Sequence, residues 1–596
     1  MMISLRLRSM TGPVIVVGAN LILIVIGAYF LESASGAPNL ANMIRATLIY
    51  IALSSIICLL TGRLIYATCS ATILIFLVAA VSKIKFSFVH VNLRTTDLLL
   101  ISPTETVYFV QRAPQVSAIV AFGFIGCLAA SYWLFRKDRA RPVRVASTLS
   151  LVLAIFAVQQ LQARREVNVS GAYYDTLHMS SFFSSIPEAV SILQGARLPY
   201  AAAKEAGHVS SIQKVSYLDG NLEAQVSASP PNVIIILHES AVNPARFVSD
   251  PRYSVQSDMF ISQDGVERRL GVETYGGGTW ISEYGLLLGV STRHFGAVGS
   301  ILGIAPHSHF RNALPARLRS LGFRTTAIYP SDKRFAGTDS LYRTLGFQRI
   351  YDDAIIGSDR ESPDSVYYEF VLSDLARRRR SGDVSPSFYF VITSLGHFPY
   401  DEPLARGTRS AEIVPGDPWS EYSRRLRISR DDLTRFESQL ASAFPKERFV
   451  VAGFGDHQPF LTGNGEKGAS KVVLADREMQ GKSGLLETFY RVRGIRYRPH
   501  LERIPQRLEI GLLSTAVMMA AGLPLDQSYA HRAGFLSECR GLLFLCSDHD
   551  SVMALYRRLV LAGDFPGIPV DAMSCSEVRS RGLRCDKPVN IAATNK

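Results

Sequence analysis

Apolar residues follow two regimes along the chain. Up to about residue 162 they form long runs, at 12–31, 44–61, 65–81, 116–135 and 145–161. Each is near the ~20 residues a helix needs to cross a hydrocarbon core. From Asn232 onward the runs are short: Asn232–Leu237, Phe323–Tyr329, Phe388–Thr393, Phe449–Phe454 and Lys471–Leu474. Between them lie segments with helical spacing, roughly 311–321, 364–380 and 429–443. Continuous apolar, β-branched runs mark strands buried on both faces. Their alternation with helices predicts a mostly parallel sheet covered on both sides. The pattern therefore predicts an α-helical membrane domain of five spans (1–162), a juxtamembrane linker (163–230, ended by Ser229-Pro230-Pro231) and an α/β domain (231–596).

Charge and cysteines orient this plan. Small residues at Ser33–Ala37 would suit cleavage of a signal peptide, but four further spans favour an uncleaved first anchor. Arg6 and Arg8 precede the first span, and Arg136, Lys137, Arg139, Arg141 and Arg144 separate the fourth from the fifth. Placing both groups in the cytoplasm sends everything after about 162 outward, although Lys83, Lys85, Arg94, Arg112, Arg164 and Arg165 then lie outside. The loop 83–115, with its apolar Asp97–Ile101 stretch, either dips into the outer leaflet or simply connects two spans; an interfacial helix is expected around 178–195. Cys539, Cys546, Cys575 and Cys585 cluster in a polar region without Cys-x-x-Cys spacing, which predicts two disulfides and an oxidising compartment. The net charge of +13 is spread along the chain with no nucleic-acid motif. No nucleic-acid partner is expected, and an anionic membrane surface accounts better for the charge.

In a parallel sheet, chemistry gathers in the loops past the carboxyl ends of the strands. The first buried run leads into His238-Glu239-Ser240, where an acid could hold a metal or cap a helix. The fourth leads into Gly455-Asp456-His457-Gln458-Pro459, whose Asp-His pair offers an oxygen and an imidazole ligand. The third ends at Ser394-Leu395-Gly396-His397-Phe398-Pro399, and His397 there is a candidate proton donor or phosphate contact. Tyr275-Gly276-Gly277-Gly278-Thr279 presents one hydroxyl at the start of a helix, where developing anions are favoured. Taken alone it is a flexible turn with a cap; beside a metal, Thr279 becomes a nucleophile candidate. The Arg377–Arg380 run ends a helix and is read as a solvated face.

An acid, a Gly-rich Thr turn, a His and a Gly-Asp-His, each on its own loop and in this order, resemble the lipoteichoic acid synthase and phosphoglycerol transferase branch of the sulfatase-like (alkaline phosphatase) superfamily. Glu283 and Gly289, following Thr279, also match its pattern. The resemblance covers nearly the whole chain. It implies one divalent ion, Mn2+ above all with Mg2+ or Zn2+ as alternatives, on Glu239, Thr279, Asp456 and His457, with Thr279 as nucleophile and His397 on the substrate side. It further implies a membrane phospholipid donor, a glycan or lipid-linked acceptor and, for a bacterial inner-membrane protein, a catalytic domain in the periplasm.

One departure matters. Where the family's donor-binding segment carries Phe-Trp-Asn-Arg-Asp, this chain reads Phe335-Ala336-Gly337-Thr338-Asp339, which keeps Phe335 and Asp339 for the donor. The Arg expected on the donor's phosphate is missing, and Lys333, Arg334 or His309 would have to replace it. Transfer of phosphoglycerol from phosphatidylglycerol to a periplasmic glucan or surface polysaccharide is the leading expectation. Phosphoethanolamine transfer to lipid A or capsule is the alternative, although Ile281-Ser282-Glu283-Tyr284 lacks the Ser-x-Pro-Cys-Met of that group. No Cys/Ser-x-Pro-x-Arg motif in the Thr279 loop supports a true sulfatase. A non-catalytic envelope scaffold would have no need for all four ligand-type residues.

Overall fold

The computed structural model describes residues 15–163 (without 16, 28–39, 90–92, 101–106, 108–109, 112–113 and 140–143), isolated positions between 182 and 190, and 230–564 (without 302–309, 335–336, 360, 401–416, 464–485, 545, 547 and 562–563).

Apolar helices occupy all five N-terminal positions: a short one at Val17–Gly27, then α1 (Leu40–Thr61), α2 (Leu64–Val89), α3 (Pro114–Lys137) and α4 (Arg144–Ala163). Among the described residues two stretches, Leu64–Lys85 and Pro114–Lys137, are long and apolar enough to cross a membrane, with mean hydropathy 2.3 and 2.0. The other three have shorter apolar cores, and polar residues such as Gln159, Gln160 and Gln162 enter the end of α4. Helix α3 buries no residue and turns Ile119, Phe122, Tyr132 and Trp133 outward. Such a surface suits acyl chains rather than water. After α2, a 3-10 turn at Thr95–Leu100 is held by the Lys85–Asp97 ion pair at 2.7 Å and by Ser185, whose Oγ accepts from the Thr95 N–H at 2.8 Å. The loop thus folds back on the described part of the 178–195 segment, where Phe183 packs against the helices.

The α/β domain is built on one eight-stranded sheet in the order β4-β3-β5-β1-β6-β7-β2-β8. Its strands are β1 (Asn232–His238), β2 (Arg268–Gly271), β3 (Arg324–Ile328), β4 (Arg349–Tyr351), β5 (Ser387–Ile392), β6 (Phe449–Gly455), β7 (Glu487–Ile495) and β8 (Arg507–Glu509). Parallel pairing runs through β4, β3, β5, β1 and β6; β7 is antiparallel to both its neighbours, and β8 is parallel to β2. Central strand β1 is buried throughout. Val233, Ile235 and Leu237 enter one core layer, and Ile234 and Ile236 the other. Each such side chain contributes about 1.5–3 kcal/mol on burial. The first layer is covered by α5 (Thr279–Leu288), α6 (Leu314–Ser320), α9 (Leu513–Ala520), α10 (Gln527–Glu538) and α11 (His549–Leu561), the second by α7 (Ser365–Arg380) and α8 (Pro418–Ala443).

Four of the five expected strands appear within one or two residues of their predicted ends; Lys471–Leu474 lies outside the described residues. Strands β2, β4 and β8 were not expected, because runs of three or four residues give no periodicity to read. Strand β7 escaped for a different reason: Arg491 and Arg493 interrupt its apolar pattern and pair with Glu437 of α8. Helix α8 begins eleven residues before the expected 429, since its first turns are polar in sequence yet buried around Glu421, Arg424 and Arg425. Cys539 and Cys546 form a disulfide, while Cys575 and Cys585 lie outside the described residues.

Candidate active site

Three side chains converge past the carboxyl ends of the adjacent parallel strands β1 and β6. Glu239 follows β1, and Asp456 and His457 follow β6; all three are buried, and ligand atoms of the three lie within 4.8 Å of one another. The Ser240 N–H donates to Asp456 Oδ1 at 2.8 Å, and Ser240 itself sits at a positive φ of 53°. That turn is clamped from below by Tyr422, whose hydroxyl donates to the Ser240 carbonyl at 2.7 Å and accepts from the Val242 N–H at 3.0 Å. Close packing demands glycine nearby: a Cβ on Gly396 would meet the Glu239 carbonyl oxygen at 2.0 Å. The His397 turn is thereby pressed against the Glu239 turn.

Thr279 arrives from the third side as the first residue of α5. Gly278 caps the helix in the left-handed region (φ 79°), where a Cβ would also strike Thr274 Oγ1 at 2.8 Å. The Thr279 hydroxyl donates to Glu239 Oε2 at 3.1 Å and lies 3.4 Å from His457 Nε2. Ser282, one turn on, donates to the Asp456 carbonyl at 2.6 Å and locks the helix to the β6 turn. At the far end of α5, the fully buried Arg532 donates to the Gly289 carbonyl at 2.8 Å and the Leu288 carbonyl at 3.0 Å.

The electrostatics are those of a centre built for a cation. Asp456 Oδ2 is buried without a hydrogen-bond partner, with His457 Nε2 at 3.1 Å. Among the described residues neither Glu239 nor Asp456 pairs with Lys or Arg. Burial, then repulsion from Glu239, drives the Asp456 carboxyl well above the usual carboxylate range. Glu283 on α5 is pushed up to about 7, first by burial and further by the Asp456 and Glu239 charges, against a hydrogen bond donated by Tyr342. The His457 ring places Nδ1 3.1 Å from the Gln458 carbonyl; with the proton on Nδ1, the Nε2 lone pair faces the carboxylates. Two carboxylates, one imidazole and one hydroxyl make an oxygen-rich donor set for a divalent ion. The residues present fit the group.

The remaining predicted residues are placed differently. His397 is exposed, its Nδ1 2.6 Å from the Phe398 carbonyl. Lys333 pairs with Asp352 at 3.3 Å, Arg334 with Asp332 at 2.6 Å, and Asp339 with Arg343 at 2.8 Å, so each predicted donor-binding charge has a protein counter-ion. His309 and Phe335 lie outside the described residues. Glu283 was visible as part of the motif after Thr279, but nothing in the sequence pointed to Tyr342, Tyr422 or Arg532. Their partners lie 59, 182 and 243 positions away.

Residues 231–480 match the sulfatase family model. An uncharacterized protein of Haemophilus influenzae is 24% identical over 267 residues, 41% of this chain and 47% of its own length. A Rhizobium meliloti protein, named as a candidate cyclic beta-1,2-glucan modification protein, is 25% identical over 261 residues, 42% of this chain and 39% of its own length. The chain thus spans less than half of each curated relative. Among solved structures, the Streptococcus pyogenes phosphoglycerol transferase GacH in complex with sn-glycerol-1-phosphate is 16% identical, with 56% of this chain and 84% of that chain covered and a TM-score of 0.41. The Neisseria meningitidis lipooligosaccharide phosphoethanolamine transferase A is 12% identical, with coverage of 71% and 76% and a TM-score of 0.39.

Proposed function

We propose that this protein transfers a phosphoryl headgroup, most simply phosphoglycerol from phosphatidylglycerol, to a periplasmic glucan or cell-surface polysaccharide. The observation that carries the reading is the convergence of Thr279 with three buried, ligand-type side chains that have no Lys or Arg partner among the described residues. Glu239, Thr279, Asp456 and His457 would hold one divalent ion, Mn2+ in the first instance. When bound, it supplies charge neutralisation at the reacting phosphate and lowers the pKa of the threonine hydroxyl. The Thr279 oxygen attacks phosphorus, the bond from phosphorus to the diacylglycerol oxygen breaks, and that oxygen takes a proton as diacylglycerol leaves. An acceptor hydroxyl then attacks the phosphothreonine, its proton is removed, and Thr279 is regenerated. His397, exposed on the turn packed against Glu239, is the candidate carrier of those protons. Ser282, Tyr422 and the Gly278 cap hold the nucleophile and its neighbours in place.

The five N-terminal helices are read as membrane spans that keep the enzyme beside a donor which cannot leave the bilayer. The basic residues around them and the Cys539–Cys546 bond support a catalytic domain outside the cytoplasm. The glucan acceptor takes support from the named role of the Rhizobium meliloti relative. Phosphoethanolamine is the second reading. It is favoured by one observation: Lys333 and Arg334 are paired with Asp352 and Asp332, which reduces the cationic character that an anionic headgroup would seek. Incubating the purified protein with labelled phosphatidylglycerol or phosphatidylethanolamine and no acceptor tests both. The expected result is diacylglycerol release from phosphatidylglycerol and a phosphoglyceryl adduct on Thr279 by mass spectrometry. Release from phosphatidylethanolamine alone would reverse the headgroup assignment, and turnover by Thr279→Ala would end the mechanism.

A further inference from the structure

Three arginines crowd one carboxylate beside the site. Glu487, at the start of β7, is the sole carboxylate among the described residues that pairs with Arg246 (2.5 Å), Arg269 (3.6 Å) and Arg507 (3.5 Å). Three guanidinium charges against one carboxylate leave two positive charges. Glu487 is nearly covered, its side chain 11% exposed, whereas those of Arg269 and Arg507 are 59% and 53% exposed.

Strand register makes the arrangement costly. Arg269 and Arg507 are direct partners across the parallel β2–β8 pair, on the face opposite Leu270 and Leu508, which enter the core. Like charges set opposite each other on one face destabilise a sheet. The next acid on that face, Glu509, does not relieve them, because its carboxylate accepts the Leu543 and Phe544 N–H groups at 2.5 and 2.6 Å. Each arginine also retains a planar fork of donors, the geometry that recognises phosphate bidentately.

The cluster borders the metal centre. Gln458, next to His457, donates to the Glu487 carbonyl at 2.7 Å, and its own carbonyl accepts the Gly276 N–H of the nucleophile turn at 2.9 Å. Arg246 lies on the loop that leaves Glu239.

We infer that Arg246, Arg269 and Arg507 form an anion subsite that holds a second phosphate group of the substrate or product while phosphoryl transfer takes place at Thr279. The inference rests on the transfer reading for its role and on the arginine cluster for its existence. The phosphate comes either from a lipid headgroup at the membrane or from a phosphate already on a soluble glycan. Glu487 acts as the internal counter-ion that an incoming phosphate displaces.

Phosphate binding is to be measured with the full chain in nanodiscs, in a Thr279→Ala, His457→Ala background with chelator, so that the catalytic centre does not contribute. In phosphatidylcholine discs, inorganic phosphate should bind and raise the melting temperature, with an effect that fades as salt rises. Adding Arg269→Gln and Arg507→Gln should weaken that binding by about tenfold or more. Glu487→Gln should tighten it, an outcome that a purely structural ion cluster would not give. Loss of phosphate binding in phosphatidylglycerol discs alone would identify the lipid as occupant, and equal binding in both discs would identify a soluble phosphate. Absence of binding in the background protein, binding indifferent to the two arginine substitutions, or weaker binding on Glu487→Gln would each overturn the subsite. Active Thr279→Ala protein would overturn the transfer chemistry and leave the phosphate measurement standing.

Discussion

Two buried ionic clusters lie a short distance apart in the catalytic domain and have opposite electrostatics. In the first turns of α8, Glu421 is flanked by Arg424 at 2.8 Å and Arg425 at 2.7 Å, all three buried. Burial alone would push the Glu421 carboxyl up, but the hydrogen bonds from Arg424 and Arg425 outweigh it and the net movement is downward. At the strand ends, Glu239 and Asp456 are also buried, have no such partner among the described residues, and Asp456 moves upward. The difference teaches how to tell scaffold from site. A buried charge that the protein itself neutralises holds the fold together, and one that it leaves unneutralised is arranged for something that arrives later. Arg425 joins the two clusters physically, donating to the His397 carbonyl at 2.6 Å and the Pro399 carbonyl at 2.8 Å, so that scaffold charge positions a loop of the site.

The comparison is broken most severely by removing Thr279, the proposed nucleophile. Thr279→Ala should lower turnover at least about a thousandfold while circular dichroism stays near wild type and metal binding weakens but persists on Glu239, Asp456 and His457. A variant that loses metal and fold together would make Thr279 a structural residue. Next in size, Glu421→Gln should destabilise the domain by about 3–5 kcal/mol with or without metal, because it strands two buried guanidinium groups. Urea melts in both states would show it. Asp456→Asn should behave in the opposite way: it abolishes the metal response and the activity, yet it stabilises the metal-free protein, since one of two repelling carboxylates is gone. Equal destabilisation by both substitutions would erase the distinction between the clusters.

The smallest effect is a pH dependence. Glu283 has an ordinary value of 4.5 and is raised to about 7 in the folded, metal-free protein. The folded state then holds a proton that the unfolded chain has released, so stability falls as pH rises from about 4.5 to about 7. Below that window the contribution is fully present. Thermal melts of chelated protein across this range should show the decline, Glu283→Gln should make it shallower while the raised Asp456 carboxyl keeps the rest, and added divalent ion should oppose it. A rise in stability over the same window would mean that burial does not hold the Glu283 carboxyl above its ordinary value.

Much of this was legible in the chain itself, and the limits have physical causes. Buried parallel strands announce themselves as runs such as Asn232–Leu237, and the turn after such a strand is where Glu239, Asp456 and His457 stand. A local motif carried Thr279 and, after it, Glu283 and Gly289. What stayed hidden depends on contacts between distant segments: the Tyr342 partner of Glu283, the Tyr422 clamp on Ser240, and the buried start of α8, where Glu421 sits between two arginines. The expected role of Lys333 and Arg334 on a donor headgroup met a similar limit. Sequence shows a base but not the acid folded against it, here Asp352 and Asp332.

Arg532 sets the length of the smallest working catalytic unit. It grips the back of α5 from 243 positions downstream, far beyond residue 480 where the family match stops. Strands β7 and β8 and the Tyr556 hydroxyl that accepts the Ser291 N–H lie beyond that point too, and Asp564 accepts the Arg311 N–H. A shortened protein cut near 480 would keep every proposed metal ligand and still lose the anchor behind its nucleophile. Any excised version meant to function should therefore begin near residue 230 and run to at least 564.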